Sequence, residues 1–150
     1  MQSRITPNSL YKNCPRLVTH LTALGEIPER TVLPKKLQDL VKLRVSQLNG
    51  CGYCQHMHSN EVREDGETQA RLDVLPAWRE LSCFSTVEKA ALAWAEALTL
   101  LANSPIDNND FLAAKKALGE SVLIELTTII LQINSWNRIA VGFRFQPDFE

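Results

Sequence analysis

The chain has 150 residues, 45% of them hydrophobic and 22% charged. That balance excludes a disordered chain and gives one domain, residues 1–150, large enough to bury roughly 70% of its unfolded surface. Sixteen basic against seventeen acidic side chains leave a formal charge of -1, so there is no overall electrostatic pull toward nucleic acid or anionic membrane. The longest unbroken apolar run, Ala90 to Ala95, is six residues long, where about 20 are needed to cross a bilayer. The opening MQSRITPNSLYKNCPR lacks the basic region, apolar stretch and cleavage site of a secretory signal, which places the expected location in the cytoplasm. Four cysteines are too sparse for a disulfide scaffold, and in a reducing compartment a closely spaced pair is more often catalytic or metal-binding.

Apolar residues recur at threes and fours with no sustained alternation, so the expected class is all-α, with about six to seven helices. The first helix is expected from about Ser9 to Leu24, with Pro15 disturbing its beginning. A second begins at Pro34 and carries Leu37, Leu40, Val41, Arg44 and Leu48 on one stripe, ending at Asn49-Gly50. Arg44 on that apolar stripe needs a buried acidic or carbonyl partner or must snorkel out to water, and a structural ion pair is the expected role. A third starts around Cys51 and runs past Val62 to the stop signal Asp65-Gly66, followed by a short helical segment ending near Leu75-Pro76. Ser85 and Glu88 form a capping box for a helix through Val87, Ala91, Trp94, Leu98 and Leu101, closed by Asn103-Ser104-Pro105. Asp107 caps another, ended by Gly119. The last, from Glu120 to Val141, is apolar on most sides and so is expected to be central and shared with a second subunit. The tail from Phe143 to Glu150 reads as a short extension packed on a neighbour, with no chemistry of its own.

The informative segment is RVSQLNGCGYCQHMH, Arg44 to His58. Cys51, Cys54 and His58 fall at i, i+3 and i+7, on one face of a helix. A thiol at a helix N-terminus gains thiolate character from the unpaired amides, with a pKa below the free value of about 8.5. A second sulfur three residues on can resolve a sulfenic acid or mixed disulfide, and the imidazole can move protons for both steps. Two other readings stand beside this redox pair. The cysteines can be zinc ligands, although a closed site needs four ligands and His20, His56, Cys14 or Cys83 would have to be recruited. They can also be buried small apolar residues. Cys14 and Cys83, without a close thiol in sequence, read as packing residues, His20 as a satisfied histidine and His56 as solvent-facing. Asp39 reads as a surface ion pair with Lys35.

The run LRVSQLNGCGYCQHMH from Leu43 to His58, Phe84-Ser85 leading into ALAWAEALT at Ala91 to Thr99, and LTTIILQINSWNR from Leu126 to Arg138 together resemble the alkylhydroperoxidase D-like and carboxymuconolactone decarboxylase superfamily. The resemblance covers about Leu33 to Val141 and matches the short single-domain members. It implies a compact helical domain with an antiparallel helical core, and a homo-oligomer. It also implies that Cys54 is the sulfur oxidised by peroxide, that Cys51 then forms the disulfide, and that His58 links to a carboxylate twelve residues before the first cysteine. That position is Asp39, where the family has Glu, so the carboxylate is one methylene shorter. Tyr53 stands where the best-known peroxidase members place a His. Helix-end electrostatics alone would make Cys51 the more thiolate-like sulfur, whereas the resemblance assigns peroxide attack to Cys54.

These residues lead to an expected thiol-dependent peroxidase or dithiol-disulfide oxidoreductase. A peroxide is its substrate and a cellular dithiol its reductant. No metal, flavin or haem is implied, since the sulfurs carry the redox chemistry and no nucleotide-binding glycine loop is present. The rivals are a decarboxylase of a muconolactone-type acid, which needs no cysteine pair, and a non-enzymatic zinc-binding or redox-sensing module.

Overall fold

A computed structural model describes residues 2–149. The helices are α1 (Pro7–Asn13), α2 (Pro15–Ala23), α3 (Lys35–Leu48), α4 (Gly52–Glu64), α5 (Gln69–Asp73), α6 (Thr86–Thr99), α7 (Asn108–Leu118) and α8 (Glu120–Phe143), with a 3-10 turn at Leu75–Ala77. The all-α expectation holds, and no strand occurs among the described residues. The helix count among the described residues exceeds the expected six to seven because the stretch from Ser9 to Leu24, expected as one helix, is two. Pro15 has no N–H to continue the ladder, and Cys14, at φ -140 and ψ 63, closes α1 and opens α2. The other main helices lie within a few residues of their expected ends. Ser85 and Glu88 make the capping box in full, and Gly66 and Gly119 take φ +87 and +79 at the stops. The Leu101 end of α6 is corrected: the helix stops at Thr99, and Leu101 is left exposed.

The core lies among α3, α6 and α8, with Leu40, Val41, Val45, Leu92, Ile129, Ile130 and Ile133 almost fully buried. Each such aliphatic side chain contributes about 1.5–3 kcal/mol by leaving water. Packing of α3 against α4, α6 and α8 buries more than one stripe of it, including Asp39, Leu43 and Ser46. The central place expected of α8 is also found, since it packs on α2, α3, α4, α6 and α7. Its apolar surplus still leaves Ile124, Leu131 and Val141 exposed.

Arg44 finds the acidic partner its position required. Its Nε donates to Glu96 Oε1 at 2.7 Å, and the indole N–H of Trp78 donates to the same oxygen at 2.8 Å. Arg79 also donates to Glu96, so α3, α6 and the turn between α5 and α6 share one buried carboxylate. Burial alone would push this carboxyl up, but the bonds from Trp78, Arg79 and Arg44 outweigh it and hold Glu96 below the ordinary glutamate value. No single helix among the described residues is long and apolar enough to cross a membrane; α7 and α8 meet that length and composition only as a pair bent by 117°.

Candidate active site

The site forms where α3 hands over to α4. Gly50 turns the chain at φ +65, a left-handed conformation that glycine adopts without a Cβ penalty. The Cys51 N–H then donates back to Ser46 O at 3.0 Å. This turn is anchored from α8: the Asn49 side-chain amide donates to Asn134 Oδ1 at 3.0 Å and Asn137 Oδ1 at 2.9 Å, and Asn137 donates to Ser46 Oγ at 3.1 Å. Asn137 is fully buried, so removing any member would leave a buried polar group unpaired.

Cys51 is the N-cap of α4, with its Sγ accepting from the Cys54 N–H at 3.2 Å. A sulfur thus takes the place usually filled by a serine or aspartate oxygen. One turn further on stands Cys54, and the two are joined as a disulfide with Cα atoms 5.3 Å apart. Their relative exposures are 1% and 2%, so the sulfurs are reached only through the hollows beside them. One such hollow is a cavity of about 270 Å³ that Cys54 and His58 both line. Lys42 enters its wall from α3, Tyr53, Met57 and Glu61 from α4, and Tyr11 from α1. Ile133, Trp136 and Phe145 supply an apolar side.

His58 is buried, and its Nδ1 lies 2.7 Å from Glu61 Oε2, one turn along α4. Its Nε2 is buried without a hydrogen-bond partner among the described residues. The hydrogen bond to His58 holds the Glu61 carboxyl below its ordinary value against the opposing effect of burial, with help from the charges of Lys42 and Lys35.

Asp39 is placed differently from the expected relay. It is buried, with Oδ2 accepting from Lys35 Nζ at 2.6 Å and Oδ1 from Lys42 Nζ at 3.3 Å. The pairing with Lys35 is as read from the sequence, but its place is the interior and not the surface. Asp39 and His58 therefore share no direct hydrogen bond. Two lysines, one turn away on either side along α3, hold both its oxygens, while the imidazole takes the carboxylate on its own helix. Lys35 also pairs with Asp65, and these two carboxylates hold its ammonium above the ordinary lysine value.

The structure thus gathers Cys51, Cys54 and His58 on α4 and leaves Asp39 one residue removed, behind Lys42. Among the described residues no group of three or more His, Cys, Asp or Glu is placed to hold a metal ion. His56 points away from the pair, its ring packed edge-on against Phe149 with centroids 4.9 Å apart. Cys83 and His20 are exposed, while Cys14 packs beside the cluster that holds Cys51 and Cys54. Lys42, Glu61, Tyr11 and Phe145 are members of the site that the sequence did not single out. Glu61 carried a usable signal, three residues after His58 and so beside it on a helix. Tyr11 and Phe145 carried none, being brought in from opposite ends of the chain. The tail, expected to be inert, folds back after Arg144 at φ 60 and buries Phe145 edge-on against Tyr53, centroids 5.5 Å apart.

The model of the carboxymuconolactone decarboxylase family matches residues 15–97. YdfG of Bacillus subtilis is 34% identical over 134 residues, covering 89% of this chain and 91% of that protein. YnjA of Escherichia coli is 30% identical over 68% of this chain and 56% of its own. Among solved structures, ATU0492 of Agrobacterium tumefaciens is 32% identical and superposes with a TM-score of 0.90, covering 99% of this chain and 100% of its own. It is described as a protein of unknown function, suggested to be the antioxidant defence protein AhpD. The debrominase Bmp8 shares the fold at 21% identity, with a TM-score of 0.77 over 94% of this chain and 75% of its own. By the family match and by its identity to YdfG over nearly all of its length, the chain belongs to the carboxymuconolactone decarboxylase family.

Proposed function

We propose that the protein is a thiol-dependent peroxidase, a dithiol-disulfide oxidoreductase that cycles the Cys51–Cys54 pair. The observation that carries this reading is a cysteine pair in its crosslinked form at a helix N-terminus, with Cys54 and an imidazole nitrogen unpartnered among the described residues belonging to side chains that line one cavity. Likeness to ATU0492, at 32% identity over the whole chain, supports it.

In the reduced protein His58 Nε2 takes the proton of the Cys54 thiol. The thiolate sulfur attacks one peroxide oxygen, the O–O bond breaks, and an alcohol leaves once the alkoxide has taken a proton. Cys54 is then a sulfenic acid. The Cys51 sulfur displaces its hydroxyl as water, forming the S–S bond, so the sulfurs lose two electrons and the peroxide gains two. A cellular dithiol restores both thiols by two exchanges and is itself oxidised to a disulfide. The Cys54 N–H held by Cys51 Sγ favours Cys51 as the thiolate released in that exchange. Homo-oligomerisation and a cytoplasmic location belong to the same proposal; the exposed Ile124, Leu131 and Val141 on α8 support the first.

The test is to add sub-stoichiometric peroxide to reduced protein, trap sulfenic acid and map the tagged peptide. Cys51→Ser is expected to carry the tag at Cys54, and Cys54→Ser to lose peroxide turnover by about a hundredfold or more, as loss of a nucleophile does. Labelling spread evenly over all four cysteines would refute a dedicated site. Consumption of a lactone acid by protein with alkylated cysteines would favour the decarboxylase reading instead.

A further inference from the structure

We propose that Glu61 is the positioning residue for His58, and that Asp39 acts on the site only at one remove, by fixing Lys42. The inference rests on the peroxidase reading for its role in turnover, though not for its geometry. Glu61 Oε2 lies 2.7 Å from His58 Nδ1. An ionised carboxylate can only accept there, which makes Nδ1 the protonated nitrogen and leaves Nε2 as the lone-pair nitrogen. That is the nitrogen left buried and unpartnered among the described residues. A base for a thiol needs this tautomer, and the opposite one would present an N–H where the proton must be received.

The spacing makes the device local. Residues three apart on a helix are side by side, so the pair survives any shift of α4 against α3 when the disulfide opens. A partner on α3 would have to move in register with α4 to do the same. Asp39 is not available for the task, since its Oδ1 and Oδ2 accept from Lys42 and Lys35. What Asp39 does is hold the Lys42 ammonium in the cavity wall that Glu61 also lines. That cation favours an ionised Glu61 and thereby the acceptor role.

The experiment uses the full chain, reduced, in three forms: wild type, Glu61→Gln and Asp39→Asn. Nitrogen-15 NMR reads the His58 tautomer, and steady-state assays with an organic hydroperoxide and a dithiol read kcat and KM. In wild type Nδ1 is expected to carry the proton. The Glu61→Gln amide can donate to Nδ1 as well as accept from it, so the tautomer becomes mixed. Its kcat falls roughly tenfold, a part of the 10²–10⁴ a positioned base supplies, with KM changed less than about twofold. Asp39→Asn keeps the wild-type tautomer. A wild-type tautomer in Glu61→Gln, or a lost one in Asp39→Asn alone, overturns the proposal. Wild type that fails to turn over peroxide overturns the peroxidase reading, while the NMR arm still decides which carboxylate orients His58.

Discussion

Glu96 offers a substitution whose cost can be worked from its contacts. Arg44 Nε and Trp78 Nε1 donate to one oxygen, Oε1, and Arg79 to the other. The side chain of Arg44 is 13% exposed and that of Arg79 60%, so the first depends on Glu96 and the second does not. Glu96→Ala strands a nearly buried guanidinium and an indole N–H; breaking a buried pair in this way costs about 3–5 kcal/mol. Arg44 keeps a bond to Gln47 Oε1 at 3.2 Å, which puts the expectation at the lower end, about 3 kcal/mol. For a chain of this size that is a fall in Tm of roughly 6–12 °C. Glu96→Gln can keep both Oε1 bonds with an amide oxygen as the acceptor and loses the negative charge, so its cost is smaller, about 1–1.5 kcal/mol.

The charge gives this pair of variants a pH signature. Glu96 is held below its ordinary value of 4.5, so the unfolded chain takes up the proton first as the medium is acidified. The stabilisation is fully present above the unfolded value and is lost as pH falls through the lower folded value. Urea denaturation of wild type and Glu96→Gln should therefore show a gap that is widest near neutrality and narrows once the pH falls below the ordinary value of 4.5. A gap that stays constant from neutral to acid pH, or Glu96→Ala within about 1 kcal/mol of wild type, would refute the reasoning.

Two further expectations follow from the packing. Phe145→Ala removes the ring set edge-on against Tyr53; a core truncation of this kind costs about 3–5 kcal/mol, but here the segment is terminal and can undock by itself. Alkylation of reduced Cys54 should then quicken severalfold with a global stability change under about 1 kcal/mol, and an unchanged alkylation rate would contradict the part assigned to the tail. Ser85→Ala deletes the oxygen that accepts from the Glu88 N–H at 3.2 Å, for a loss of about 1 kcal/mol, checked by thermal unfolding.

Much of the fold was legible because its signals are local. Helix caps and stops lie within one turn of the ends they set, as Ser85 with Glu88 and the glycines at 66 and 119 show. The same holds for the chemistry of α4: Cys51, Cys54 and His58 share a face by spacing alone, and Arg44 on an apolar stripe called for a buried partner or a route to water, of which the structure takes the first. The sequence could not decide which carboxylate meets His58, because two were within reach on different helices and the choice depends on what else competes for each. Lys35 and Lys42 claim Asp39, leaving Glu61 for the imidazole. Nor could it reveal that Tyr11 and Phe145, from the two ends of the chain, close one cavity over Cys54. Those contacts exist only once α1, α8 and the tail are packed, since no periodicity encodes a meeting between residues so far apart along the backbone.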